Sequence, residues 1–281
     1  ILQTTDKDYI IASDTDSIYV TFDELVRKSF GERTDVPTER VIDFLDKIAK
    51  EKMEPYINKC YEELAEYVKA YAQRMEMSRE VIADKGIWTA KKRYILNVHD
   101  SEGVRYAEPQ LKIMGIEAVK SSTPGPCREK IKEVLKVIVN EDDKAVNVFI
   151  QNFRKEFLSL PVEAVAFPRS VNGLRKWSDS NGIFKKKCPM HIKGALIYNH
   201  LLKKMDLTKK YPLILEGEKI KYLLLKTPNK VQANVISFLS VLPKEFGLHD
   251  YINIDLQFEK SYVDPLQFIM EAIGWEIDRS Y

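Results

Sequence analysis

Ile10-Ile11-Ala12-Ser13-Asp14-Thr15-Asp16-Ser17-Ile18-Tyr19-Val20-Thr21-Phe22 is the stretch on which the reading of this chain turns. One β-favouring run enters Asp-Thr-Asp-Ser and a second leaves it. The pattern predicts two antiparallel strands joined by a tight turn that carries two carboxylates. Asp and Ser suit such a turn because their short polar side chains bond the local backbone. If the turn is extended, Asp14 and Asp16 lie two residues apart and project to the same side. Acidic oxygens at the end of a buried hairpin suit hard divalent cations, and Mg²⁺ takes one or two carboxylates together with substrate phosphates. A bare Asp-x-Asp is also what an ordinary acidic turn looks like, so the rest of the chain has to decide.

The 281 residues suffice for one large domain or two modest ones. A hydrophobic content of 44% and a charged content of 31% are those of a soluble globular protein. The net charge of +2 says little about partners; the distribution of cations says more. No run approaches the length of a membrane span and no signal-peptide pattern opens the chain. With Cys60, Cys127 and Cys188 far apart and odd in number, the expectation is a cytoplasmic setting with reduced thiols. The chain starts at Ile1, close to the first strand and without an initiator Met, which suggests a piece of something longer or a processed product.

Outward from the hairpin, Gly31 to Pro37 reads as a loop. Thr38 is placed to cap a helix with Val41, Phe44, Leu45 and Ile48 on one face. Pro55 should break or restart it, after which Ile57, Cys60, Tyr61, Leu64, Val68 and Tyr71 resume the pattern. Both helices then offer one apolar stripe to the hairpin's sheet, with Cys60 as a core residue. Residues 78–83 and 88–98 read as strands, and His99 to Gly103 as the turn of a second hairpin returning through Val104 to Ala107. After Gly115 the character changes. Thr123-Pro124 starts a helix with Ile131, Val134, Leu135 and Ile138 inward, and a second helix carries Val146, Phe149, Ile150, Phe153 and Phe157. Loops lead to about Asn181, followed by a lysine-rich stretch around a helix from Met190 to Met205. β-Structure is expected between Tyr211 and Lys226, and a last helix from Tyr262 to Trp275.

Lys91-Lys92-Arg93-Tyr94 is the second informative string. At the opening of a strand, Lys92 and Tyr94 would share one face, and Lys91 and Arg93 the other. Fixed cations neutralise phosphates and Tyr can add a directed hydrogen bond, although a short basic cluster is also what a solvated edge strand carries. Taken together and in this order, the Asp-Thr-Asp-Ser hairpin and the Lys-Lys-Arg-Tyr string resemble motif C and the KKRY motif of family-B DNA polymerases, particularly the replicative enzymes of T-even-like bacteriophages. Leu111 to Glu117 followed by Lys120 to Pro124 is similar to their passage from palm to thumb. Lys187 to Gly194, Gly217-Glu218-Lys219, and Gln257 to Tyr262 with Pro265-Leu266 are similar to thumb segments. The likeness covers nearly the whole chain and is weakest between about residues 140 and 185.

The resemblance implies an α+β architecture: residues 1–115 as the C-terminal part of a polymerase palm, an antiparallel sheet with packed helices, and residues 116–281 as a mostly helical thumb. It implies DNA-directed nucleotidyl transfer with two Mg²⁺ ions, Asp16 as the principal metal ligand and Asp14 as the supporting carboxylate. Primer–template DNA and a deoxynucleoside triphosphate are the implied partners. Lys91, Lys92, Arg93 and Tyr94 would hold the new duplex, with Lys120, Lys193, Lys219 and Lys260 on its backbone. The family's motif A, which brings the other metal-binding carboxylate, and motif B, which handles the nucleotide, are not in this sequence. An N-terminal polypeptide carrying both is therefore implied, and the chain by itself is expected to be inactive. The ending Trp275 to Tyr281 does not match the short apolar peptide with which phage relatives dock on the sliding clamp, and Asp264 stands where relatives can carry a Lys. Cys188-x-x-His191 lacks the second ligand pair that a structural zinc site needs. The alternative from another class is a non-catalytic duplex-DNA-binding module with a vestigial motif C.

Overall fold

The computed structural model describes residues 7–31, 36–180 and 182–280, so part of the expected loop between Gly31 and Pro37, and Asn181, lie outside the described residues. The architecture is α+β, with helices and three small antiparallel sheets among the described residues. The chain divides into two compact units, Ile1–Met114 and Gly115–Tyr281.

In the first unit, β1 (Ile10–Asp14) and β2 (Ser17–Val20) pair antiparallel with Asp14 opposite Ser17, leaving Thr15 and Asp16 as the turn. Helices α1 (Asp23–Phe30), α2 (Thr38–Ile48) and α3 (Glu54–Tyr67) follow. Thr38 is the first helical residue rather than the cap, a position held by Pro37. Pro55 does not interrupt the helix. Instead, a π-helical segment, Ala49–Met53, joins α2 to α3. Proline removes a main-chain donor and crowds the preceding turn, and a widened turn directly upstream accommodates both effects.

Strands β3 (Val81–Ala90), β4 (Arg93–Ser101) and β5 (Val104–Met114) form a sheet in that order. From the sequence alone, residues 88–98 read as one strand. In the structure the chain reverses inside that run, with Lys91 and Lys92 as the turn and Lys92 at a φ of 61°. The second hairpin turns at Glu102 and Gly103, with φ of 52° and 85°. Two consecutive positive φ values match the twist of the flanking strands. Ile82, Ile95, Leu96 and Val98 are buried on this sheet, and Ile42 is the buried residue of α2.

Charge fastens α2 to the sheet. Arg79 donates to Asp46 of α2 (Nε to Oδ1, 3.1 Å) and to Asp100 of β4, while its amide donates to Glu54 at 2.9 Å. Asp100 also accepts from Arg105 Nε at 3.2 Å and from the Gly103 amide at 3.0 Å, and Arg105 reaches Asp43 of α2 at 3.0 Å. Cys60, by contrast, is exposed, which corrects its expected place in the core. The apolar arc of α3 is wider than the surface it meets, and Cys60 lies on the uncovered part.

The second unit starts with α4 (Gly125–Asn140) and α5 (Asp143–Ser159), then α6 (Val162–Val165), β6 (Phe167–Ser170), α7 (Leu174–Trp177) and α8 (Met190–Lys204). Strands β7 (Lys219–Leu224) and β8 (Val235–Phe238) complete a β6-β7-β8 sheet. The chain ends on α9 (Ile254–Phe258), a π-helical segment Glu259–Val263, and α10 (Asp264–Ala272). Helix α4 buries Cys127, Ile131, Val134, Leu135, Ile138 and Val139. The rings of Phe153, Phe157, Phe258 and Tyr262 meet edge-on or tilted, with Phe153 and Tyr262 centroids 4.6 Å apart. Each such pair adds about 0.5–1.5 kcal/mol beyond its area.

Candidate functional site

The Asp-Thr-Asp-Ser turn is tight and not extended. Thr15 has a φ of 54°, and the Asp16 amide donates to the Asp14 carbonyl at 2.7 Å. The alternation argument for Asp14 and Asp16 therefore does not apply. Asp14 ends β1 and Asp16 occupies the exposed second turn position, so the two are close by way of the turn itself. Ser17 Oγ donates to the Asp14 carbonyl at 3.1 Å, and Thr15 Oγ1 to Asp14 Oδ1 at 3.2 Å. These are the local bonds that short polar side chains supply in turns.

The Lys-Lys-Arg-Tyr string likewise straddles a reversal: Lys91 and Lys92 are at the tip, and Arg93 and Tyr94 open β4. The two hairpins are joined. Tyr19 of β2 donates its hydroxyl to that of Tyr94 at 2.7 Å, and Tyr19, Trp88 and Tyr94 form a ring cluster with centroids 5.3 to 6.1 Å apart. Lys92 Nζ is 3.6 Å from Asp14 Oδ1. Burial first, and then the bond from Tyr19, raise the Tyr94 pKa, so its phenol stays protonated and retains a hydrogen to donate. With side chains 63% and 32% exposed, the Lys92–Asp14 pair contributes about 0–1 kcal/mol. A contact that weak yields readily to a phosphate or a divalent cation.

Sequence reasoning missed Tyr19 and Trp88 as the joint between the hairpins. The signal was an aromatic on each strand flanking the turns, but it says nothing about which hairpin meets which. The four lysines of the second unit lie on different elements. Lys120 pairs with Glu117 at 2.8 Å and Lys260 with Asp264 at 2.8 Å. Lys193 donates to Asn234 Oδ1 at 2.9 Å and lies 4.9 Å from the centroid of the Phe184 ring. Lys219 opens β7, exposed. Lys176 likewise sits 5.2 Å from the Trp177 ring, one of several pairings of cation and aromatic on this unit. His191, in the first turn of α8, has its pKa lowered by burial and by Arg169.

No protein-family model matches the chain. Over 98% of its length it is 36% identical to a DNA-directed DNA polymerase of Enterobacteria phage T4. Over 96% it is 38% identical to a DNA-directed DNA polymerase of Escherichia phage RB69. Nearly the whole chain is thus similar to one stretch of the DNA-directed DNA polymerases of T-even-like phages. It spans 31% of the length of each of these two curated relatives.

Proposed function

We propose that this chain is the C-terminal portion of a DNA-directed DNA polymerase, with the first unit as the later part of the palm and the second as the thumb. The observation that carries the reading is the joint between the hairpins. Asp14 lies 3.6 Å from Lys92, and Tyr19 is bonded to Tyr94, so the acidic turn and the basic tip belong to one local assembly. A carboxylate pair beside fixed cations is what a site needs to hold phosphate-bound metal next to a DNA backbone.

The donor set fits magnesium in part. Asp16 and Asp14 offer hard oxygen ligands, but among the described residues no group of three or more His, Cys, Asp or Glu is gathered. Mg²⁺ accepts one or two carboxylates with the remaining positions filled by water and substrate phosphate, so the pair suffices only when DNA, nucleotide and a further carboxylate are present. Asp16 and Asp14 would hold magnesium there, and the metal would supply activation of the primer 3′-hydroxyl and neutralisation of the leaving pyrophosphate. Asp16, exposed in the turn, is the principal ligand and Asp14 the supporting one. Lys92 holds Asp14 in place until nucleic acid arrives. Lys91, Arg93 and Tyr94 hold the nascent duplex by its phosphates, which fixes position without reading sequence. Within the second unit, Lys120, Lys193, Lys219 and Lys260 offer contacts to the DNA backbone.

The remaining groups come from a polymerase segment carrying motifs A and B. Mixed with that segment, the chain should extend a primer in a Mg²⁺-dependent manner, and Asp16→Ala should abolish extension. If Asp16→Ala extends as fast as the wild type, the site assignment fails. If duplex is bound in a salt-sensitive way and no folded mixture extends a primer, the chain is a non-catalytic DNA-binding module.

A further inference from the structure

The two units differ in how completely they bury their helices. Helix α4 of the second unit has six buried apolar residues, whereas α1 and α3 of the first have none. On α3 this is not for want of apolar side chains. At about 100° per residue, Tyr56, Cys60, Leu64 and Tyr67 form one strip along the helix, and Ile57, Tyr61 and Ala65 form the strip beside it. The second strip is half-buried against its own unit; the first lies in solvent. Tyr56 is 63% exposed, Leu64 45% and Tyr67 85%. With an aromatic side chain presenting about 200 Å², the two tyrosines alone leave roughly 300 Å² of mostly ring surface in water. With Leu64 and Cys60 the strip makes a contiguous apolar patch of a few hundred Å², the size that often marks an interaction site.

We infer that this outer strip of α3 is the docking surface for the polymerase segment that carries motifs A and B. The inference rests on the polymerase reading above and names the surface through which that reading's partner binds. What points to this occupant is length. The chain spans 31% of each phage relative, so most of such an enzyme lies outside it. The uncovered apolar strip, moreover, is in the unit that holds the acidic turn, where the missing carboxylate has to be brought.

The experiment takes the full chain and the motif A- and B-bearing segment from the same source, expressed separately. Binding is measured by titration calorimetry for the wild type, Leu64→Lys, Tyr67→Lys, and a control, Glu62→Lys, on the opposite side of the helix. Tyr67 is 85% exposed and Leu64 45%, and both lie on α3 outside the sheet, so amide exchange in β3–β5 should be unchanged in every variant. Binding weakened tenfold or more by Leu64→Lys and Tyr67→Lys, with Glu62→Lys as wild type, is the expected result. A fall in the alkylation rate of Cys60 on complex formation is expected alongside it. Wild-type binding that survives both lysines with Cys60 still reactive overturns the surface and leaves the polymerase reading standing. No binding by the wild-type chain overturns both. A wild-type dimer in light scattering that Leu64→Lys dissolves assigns the strip to a second copy and overturns the inference.

Discussion

Replacing Asp100 by Ala should loosen the first unit and leave the second untouched. The Asp100 carboxylate is 2% exposed and accepts from Arg79, Arg105 and the Gly103 amide. Removing it strips one partner from a guanidinium whose own side chain is only 11% exposed. Breaking a buried ion pair from one side costs about 3–5 kcal/mol. Arg79 keeps Asp46 and Arg105 keeps Asp43, which puts the loss at the lower end, about 3 kcal/mol. At 1.4 kcal/mol per tenfold, the opening equilibrium of β3–β5 should rise by about two powers of ten. Amide exchange reads this strand by strand, which a single melting curve cannot do for a chain of two units. The acid limb should change too. Burial pushes the Asp100 pKa up, but the bonds from Arg79, Arg105 and the Gly103 amide outweigh it and the net shift is downward. A carboxyl whose folded pKa is depressed stabilises above its unfolded value, about 3.9, and that contribution is lost as pH falls through the folded value. Asp100→Ala should therefore flatten the stability profile of the first unit below about pH 4. A loss under ~1 kcal/mol, or an unaltered acid limb, refutes the claim that this network holds α2 on the sheet.

Gly194 on α8 has no room for a side chain, since an added Cβ would lie 2.6 Å from the Ser237 backbone nitrogen of β8. Gly194→Ala should destabilise the second unit by about 1–3 kcal/mol, read by amide exchange in α8 and β8, and an unchanged exchange pattern would contradict the close packing. The three thiols should react in order of exposure: Cys60 at once, Cys188 more slowly, and Cys127 only on unfolding, because burial pushes its pKa up to about 11. Rapid labelling of native Cys127 would contradict its burial in α4.

Hairpins at Asp-Thr-Asp-Ser and at His99 to Gly103 follow from features local enough to read. The Asp-Thr-Asp-Ser turn stands out because polar turn residues interrupt β-favouring runs, and Glu102-Gly103 because glycine marks a positive φ. The turn at Lys91-Lys92 has no such mark. Lysine adopts a φ of 61° at Lys92 without a glycine, asparagine or proline nearby, so the run from Trp88 to Val98 reads as one strand. Cys60 and Asp100 were misplaced for a shared reason. Periodicity shows that a helix or turn has an apolar or polar side, but not how much of it a neighbour covers. The carboxylate of Asp100 is buried because Arg79, 21 residues upstream, closes over it. Strand β8 escaped because Val235–Phe238 is buried throughout and so lacks the alternation that announces a strand.

The π-helical turn at Ala49–Met53 sets the azimuth of α3 relative to α2. Such a turn holds one residue more than an α-helical turn would, so it swings the following helix by about 100° relative to α2. Deleting a single residue there would restore ordinary winding and carry Tyr56, Leu64 and Tyr67 round the axis together, with their sequence intact and their bearing lost. The phase of one helix, rather than the identity of its side chains, then decides whether this surface points at anything.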